Sequence, residues 1–437
     1  MSQTFSPEIL DRRLDELDAS FQTPLLCAVS GGADSLALAH ALHRLRRPVR
    51  LVHVDHQLCT QSAHWAHYVE GLAREWGVPA ITVKVRIDGD ANVEARARAA
   101  RYAAFAQVAR PGEYLLTAHH LEDQAMTLLL QLLRAAGPAG LAAMPARRRV
   151  GTAVHLRPLL AVTEAALADY CRRHALAPVC DPGNDDPRFD RNYLEGSVAP
   201  LLAARWPAFA RTLARSAERC ADADAMLIDL ARLDTASDLT ADALDLTRLH
   251  GADPRRTRNA LRAWLRVRRL VVPGGARLTE FARQLHAAGS DAAPRLDLGA
   301  HVLRAYRGVV YDTVEAAPVN GWCAQLHSDT PLDLPGDAGT LSFSSQAQDS
   351  VRLAVRFRQG GERFGRSPSR SLKTFLQTLR VLPWRRGQVP LVYCGDELVA
   401  VGDWWQSPRL EGDLAWRCPA RFRAETEVSL RNRTARS

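Results

Sequence analysis

The residues with the clearest chemical purpose are Ser30-Gly31-Gly32-Ala33-Asp34-Ser35, a glycine pair flanked by hydroxyls and followed by a carboxylate. They lie between the apolar run Leu25-Leu26-Cys27-Ala28-Val29 and the helix-forming Leu36-Ala37-Leu38-Ala39-His40-Ala41-Leu42, so the order reads strand, glycine turn, helix. A buried strand that ends at a helix start leaves unpaired backbone N–H groups aimed at one spot, and such a spot favours phosphate. The glycines let the backbone approach an anion without a Cβ clash, whereas Asp34 tolerates phosphate only with a cation between them. The chemistry implied is a nucleotide with magnesium. No lysine follows the second glycine and the G-x-G-x-x-G spacing is absent, which separates this loop from both common phosphate-binding patterns. A plain glycine turn with Asp34 or Ser35 as helix cap is the alternative.

Positioning such a loop takes a sheet, and the chain supplies one. Val49–His56, Ala80–Val85 and Tyr114–Ala118 read as further buried strands, alternating with helices over 62–76, 92–108 and from Leu121 to Leu133. Alternation of this kind predicts an α/β domain: an open, Rossmann-like parallel sheet with right-handed crossovers and its ligand beyond the carboxyl ends of the strands. Four polar strand ends then converge: Ser30 to Ser35, Asp55-His56, the loop after Val85, and His119-His120. Beyond Leu133, Gly137-Pro138-Ala139-Gly140 with Arg147-Arg148-Arg149 reads as a substrate lid or a surface connection. A helix from about Thr163 and a polar loop, Cys180 to Asp186, follow, and the domain closes near Ala204, giving a first domain over 1–205.

With 437 residues the chain has room for several domains, each able to bury its own core. A hydrophobic content of 47% with 24% charged residues is that of a soluble globular protein, and no apolar run approaches a membrane span. The start lacks a basic-then-apolar signal, so the expected compartment is the cytoplasm. Eight cysteines without a C-x-x-C pair argue against a disulfide framework, a zinc ribbon and a sulfur-carrying pair. Net charge is +9, almost entirely from arginine, which suits a phosphate-rich partner but also follows from GC-rich coding.

The rest of the chain divides into a helical region over 206–313, a linker over 314–350 rich in Pro, Gly, Asp and Ser with irregular or short-stranded structure, and a small α+β domain over 351–437 with a polar, basic tail. Seven aspartates against one arginine between Asp222 and Asp245 mark an acidic, solvated helical stretch. The sign then reverses: Arg255, Arg258, Arg262, Arg266 and Arg269 recur at helical spacing, opposite Leu261, Trp264 and Leu265. A solvated basic face is one reading. The other is a polyanion, which relieves the repulsion among guanidinium groups that have no interleaved carboxylates.

Taken together the motifs resemble the tRNA(Ile)-lysidine synthase family of the PP-loop ATP-pyrophosphatase superfamily. Carrying the resemblance are Ser30 to Ser35, Asn92-Val93-Glu94 with Arg98, Arg101 and Tyr102, Thr117-Ala118-His119-His120-Leu121-Glu122-Asp123-Gln124, Gly137 to Met144, Arg157-Pro158-Leu159-Leu160, and Asp190-Arg191-Asn192-Tyr193-Leu194. It returns at Gly361-Glu362, Leu372-Lys373, Pro383-Trp384-Arg385 and Pro390-Leu391. The resemblance implies an adenine nucleotide alpha-hydrolase-like fold and a ligase that attaches free L-lysine to the wobble cytidine of the CAU-anticodon isoleucine tRNA. In such a reaction ATP adenylates the cytosine, pyrophosphate leaves, and the lysine amine then displaces AMP. By the same token Ser30, Gly31, Gly32, Ala33, Asp34, Ser35, Asp55 and Arg98 are expected around ATP, with Asp34 and Asp123 holding magnesium and His119 catalytic beside them. His119 or His120 is the expected base for the amine, although for His120 ordinary hydrogen bonding is favoured over catalysis; Arg101 is an alternative to Arg98 as phosphate contact. Both downstream domains would bind tRNA, with homodimerisation an open option.

Two positions depart from the family pattern. Met126 stands where a glutamate is usual, and Glu195 where an arginine is usual, and both are expected near the second substrate. On that expectation Met126→Glu with Glu195→Arg raises turnover. Rival readings are a PP-loop tRNA thiolation enzyme, which would need a cysteine pair absent here, an ammonia-using nucleotide or NAD synthetase, which leaves the arginine stripe unused, and an RNA-binding relative with a degenerate site.

Overall fold

The computed structural model describes residues 4–57, 61–87, 93–179, 186–235, 237–249, 251, 253–288, 292–315, 319, 321–345, 352–365 and 370–418. The loop over 180–185, the segment 88–92 and the tail 419–437, all singled out in the sequence, lie outside them. The chain divides into two units, Met1–Met226 and Leu227–Ser437.

The first unit is built on a six-stranded sheet of order β3-β2-β1-β4-β6-β5, from β1 (Leu25–Ala28), β2 (Val49–Asp55), β3 (Ala80–Lys84), β4 (Tyr114–Leu116), β5 (Arg147–Val150) and β6 (Ala153–Leu156). All neighbours run parallel except the β5–β6 hairpin at the edge. Thus Arg147 to Arg149, left open between lid and connection, form an edge strand. Helix α1 (Pro7–Glu16) precedes the sheet, α2 (Ala33–Arg44), α3 (Ser62–Glu75), α4 (Val93–Val108), α5 (Leu121–Leu133) and α6 (Pro138–Leu141) connect its strands, and α7 (Glu164–Arg173) follows it. Strand alternation sorts the core into two layers. Leu25, Cys27, Val49 and Leu51 pack with Leu36, Leu38 and Tyr170 on one face, while Leu26 and Val52 meet Phe105 and Leu115 on the other. Helix α1 starts on a Ser6 cap with proline in its first turn, and Thr163 caps α7 through the Ala166 N–H. Helices α8 (Asp190–Tyr193), α9 (Ala199–Arg205) and the start of α10 (Phe209–Thr235) follow, and their apolar side chains pack on α5 around Leu121, Met126, Leu194 and Ala210.

In the second unit, α11 (Pro254–Val267) and α12 (Gly275–Ala287) cover a four-stranded antiparallel sheet formed by 243–245, 309–313, 302–306 and 295–297, with fully buried Trp264 at its centre. The Trp264 indole N–H donates to the Ala241 carbonyl at 2.9 Å, which satisfies the one polar group the burial would strand. The helical stretch expected between Asp222 and Asp245 therefore ends at Thr235, and a short strand over 243–245 follows it. The remainder is antiparallel: a five-stranded sheet in the order 323–326, 353–356, 391–394, 397–401, 405–406, a three-stranded one in the order 332–334, 339–344, 413–417, and a short helix, Leu372–Thr378. Within the stretch read as a linker, 323–326 pairs with 353–356 and 339–344 with 413–417, so these short strands belong to the same sheets as the segments after 351.

Candidate active site

The glycine turn sits where β1 gives way to α2. Gly31 has φ +97°, and a Cβ there would come within 2.6 Å of a Val179 methyl, so no side chain fits. The Val179 N–H donates to the Gly31 carbonyl at 3.0 Å and fixes that approach. Gly32, not Asp34 or Ser35, is the N-cap of α2, and it supplies no capping side chain. The N–H groups of Ala33, Asp34 and Ser35 in the first turn consequently have no partner within the helix. The Ser35 hydroxyl donates to the Gly32 carbonyl at 2.9 Å and accepts from the Ser30 N–H at 3.1 Å, so it holds the turn closed. Ser30 accepts from the Gly32 N–H at 3.3 Å.

Beside this turn lies a cluster of acids around one cation. His120 Nε2 is 3.7 Å from both Asp34 and Asp123, and its Nδ1 is 3.0 Å from Glu122. Burial alone would hold the imidazole neutral, but the Glu122 hydrogen bond with the Asp123, Asp34 and Glu122 charges raises it to about 9. The three surrounding carboxylates thus favour the charged form of His120. Burial, opposed by His120 and reinforced by Asp123, Glu164 and Glu122, pushes the Asp34 carboxyl up to about 6. Its Oδ1 is buried and without a hydrogen-bond partner. Asp123 accepts the His120 N–H at 2.9 Å at the start of α5 and pairs with Arg191, which also bonds Glu195 at 2.8 Å. Glu122 accepts the Glu164 N–H at 2.9 Å, so the start of α7 is tied to the same cluster.

His119 points into different company. Its Nδ1 is 2.7 Å from the Thr117 hydroxyl, which lies 2.8 Å from His155 Nε2. Burial and the Arg157, Arg191 and Arg98 charges hold it well below the usual histidine range. Arg98 and Arg148 both lie over the Tyr102 ring, 5.4 and 4.5 Å from its centre. Asp55, at the end of β2, is 3% exposed and accepts the Gln57 N–H at 2.9 Å, holding its own turn. Arg101 reaches the same strand end, 3.2 Å from His56 Nε2.

The structure thus brings Asp34, His120, Glu122, Asp123, Arg191 and Glu195 together, while His119 bonds Thr117 instead and feels the charges of Arg98, Arg157 and, from the cluster itself, Arg191. Met126 does not line either: it is 1% exposed, within the apolar cluster of Leu121, Ala125 and Leu194. The expectation that Met126 borders the second substrate is corrected, because its position on α5 faces α8–α10. Glu195 does reach the acid cluster, through Arg191. Sequence reasoning missed Arg191 as a site residue, although it stood within the quoted Asp190-Arg191-Asn192 run, and missed the His155–Thr117 pair, whose partners lie on β6 and just past β4.

Along the basic helix α11, Arg255 pairs with Asp253 at 2.5 Å, Arg256 with buried Asp234, and half-buried Arg258 bonds Thr279 at 3.1 Å. A neighbouring carboxylate, Asp253, and one remote in sequence, Asp234, therefore meet part of the charge of this helix, and Arg269 lies past its end at φ +59°. No helix of the described residues is long and apolar enough to cross a membrane.

Comparison with known proteins matches three families: a PP-loop domain over residues 7–202, a TilS substrate binding domain over 244–311, and a TilS substrate C-terminal domain over 353–418. A tRNA(Ile)-lysidine synthase from Coxiella burnetii is 35% identical over 419 residues, covering 91% of this chain and 92% of its own. One from Serratia proteamaculans is 36% identical, covering 90% of this chain and 94% of its own. Among solved structures, a U34-tRNA thiolase from Methanococcus maripaludis matches at 15% identity and a TM-score of 0.42, over 48% of this chain and 77% of its own.

Proposed function

Because this chain belongs to the tRNA(Ile)-lysidine synthase family, ATP-dependent ligases whose PP-loop domain implies ATP and whose substrate domains imply tRNA, we propose a division of labour among its residues. The turn Ser30–Ser35 holds the pyrophosphate of ATP, Asp34 and Asp123 face its counter-cation, and the acids beside it receive the ammonium of free L-lysine. The acceptor is the wobble cytidine of the CAU-anticodon isoleucine tRNA, and the compartment is the cytoplasm, where all three substrates are made available.

The observation that carries this reading is the uncapped first turn of α2 beside the acid cluster. In the first step the cytosine O2 attacks the α-phosphorus, the bond to the β-phosphate oxygen breaks, and charge builds on departing pyrophosphate. The N–H groups of Ala33, Asp34 and Ser35 are fixed donors for that charge. In the second step the lysine ammonium gives up a proton to become the attacking amine, its nitrogen bonds to C2, the C2–O bond breaks, AMP leaves with the oxygen, and the nitrogen loses a second proton. Glu122, Asp123 and Glu195 give the site a negative side suited to a cationic amino acid, with Arg191 bridging the last two.

The residues also suit magnesium. The buried, partnerless Asp34 Oδ1 and the nearby Asp123 are the one or two carboxylates that such an ion uses beside phosphate oxygens and water. Bound there, magnesium would neutralise phosphate charge. Asp34→Asn tests the assignment by lysine- and tRNA-dependent pyrophosphate release: a loss of about 100-fold or more is expected, whereas wild-type turnover would remove Asp34 from the site.

A further inference from the structure

Behind His119 runs a chain of hydrogen bonds with a fixed direction. Arg148 Nε carries a proton and can only donate, and it lies 3.1 Å from His155 Nδ1. That nitrogen must accept. His155 is fully buried, so as a neutral ring its proton is on Nε2, 2.8 Å from the Thr117 hydroxyl, to which it donates. The hydroxyl has one proton, and it goes to His119 Nδ1 at 2.7 Å. His119 is left with its own proton on Nε2.

We propose that Arg148, His155 and Thr117 are positioning residues that lock His119 as a neutral Nε2–H donor and so exclude it as the base that takes the lysine proton. This rests on the reading of His119 as part of the ligase site. Two features support the direction of the chain. Burial, with Arg157, Arg148 and Arg98 close by, holds His155 at about 2 and therefore neutral. Arg148 is fixed over the Tyr102 ring at 4.5 Å, and β5 pairs Arg148 directly with His155 in register, so donor and acceptor come from facing positions of one hairpin. A neutral donor stabilises charge on an oxygen without moving a proton, whereas a base needs a lone pair that this ring has already committed.

The chemical consequence differs sharply between glutamine and alanine. A glutamine amide places an N–H near the position of an imidazole Nε2 but cannot act as a base. In the full-length enzyme with tRNA transcript, His119→Gln should keep kcat within about tenfold of wild type while His119→Ala loses about 10²- to 10³-fold. Thr117→Val should lower kcat about tenfold with the KM for ATP unchanged, and Thr117→Ser should restore it. Independently of activity, ¹⁵N-histidine spectra of the whole protein, assigned with His119→Gln, should show His119 protonated at Nε2 and bare at Nδ1. A ring protonated at Nδ1 overturns the proposal, as does His119→Gln being no better than His119→Ala. Full activity of His119→Ala would overturn the donor role together with the placement of His119 in the site, and the spectra distinguish that result from a failure of the hydrogen-bond chain alone.

Discussion

His120 Nε2 stands 3.7 Å from Asp34 Oδ2, which joins the start of α5 to the start of α2 across two strand ends. The pairing keeps a positive charge among carboxylates that would otherwise repel one another and the phosphates of ATP. His120→Gln removes that charge while keeping a similar shape. Pyrophosphate release should fall about 10- to 100-fold, with the KM for ATP raised. A wild-type rate would show that the acids are balanced by another group.

Gly31 has no room for a methyl group. Gly31→Ala meets both the positive φ and Val179, and should cost about 1–3 kcal/mol of stability while displacing the turn. Urea unfolding reads the first effect and ATP binding the second. If both were unchanged, the turn would be more plastic than its contacts imply.

Met126→Glu places a carboxyl in an apolar cluster, and the cost of burying an unpaired charge outweighs any gain at the site. The melting temperature should drop by several degrees, on the order of 2 kcal/mol or more. Combining it with Glu195→Arg, which sets a second guanidinium beside Arg191, should not raise turnover, contrary to the expectation from the sequence. A faster double variant in a lysine-incorporation assay would show that α5 can turn Met126 toward the substrates.

Acid should weaken the fold through His155. Its folded-state value of about 2 lies below that of an unfolded histidine, so the unfolded chain binds the extra proton below about pH 6.5, and stability falls as pH falls through that range. His155→Gln lacks this contribution. Between pH 7 and 5 the variant should lose up to about 2 kcal/mol less than wild type in denaturant titrations. An identical pH slope in the two proteins would mean that His155 is already charged when folded.

Binding to tRNA should weaken steeply with salt, as phosphate contacts do. Neutralising Arg258, Arg262 and Arg266 to glutamine should flatten the dependence of log K on log salt by one unit or more. Unaltered affinity and slope would make this face a solvated one.

Much of the first unit was readable because its strands are apolar runs alternating with long helices, so periodicity and turn chemistry agreed. The turn at Ser30 could be assigned because its residue types are meaningful without any partner. Less was readable where a property depends on contacts distant in sequence. Nothing local distinguishes Met126 facing Leu194 from Met126 facing a substrate, or announces that Asp234 will answer Arg256. Strands of two to six residues in the second unit are too short for a period to emerge, and their pairing across 323–417 is fixed by tertiary contacts. Arg191 was overlooked for a related reason, since a single arginine in a polar run reveals its role only when Asp123 and Glu195 are seen on either side.

The Val179 methyl fills the space that Gly31 leaves open, and its amide holds the Gly31 carbonyl. These two positions are accordingly coupled: a smaller residue at 179 relieves the contact that a Cβ at 31 would make, while the strain of the positive φ stays. A double-mutant cycle of Gly31→Ala with Val179→Ala should therefore be non-additive, with the pair costing less than the sum of the two single changes.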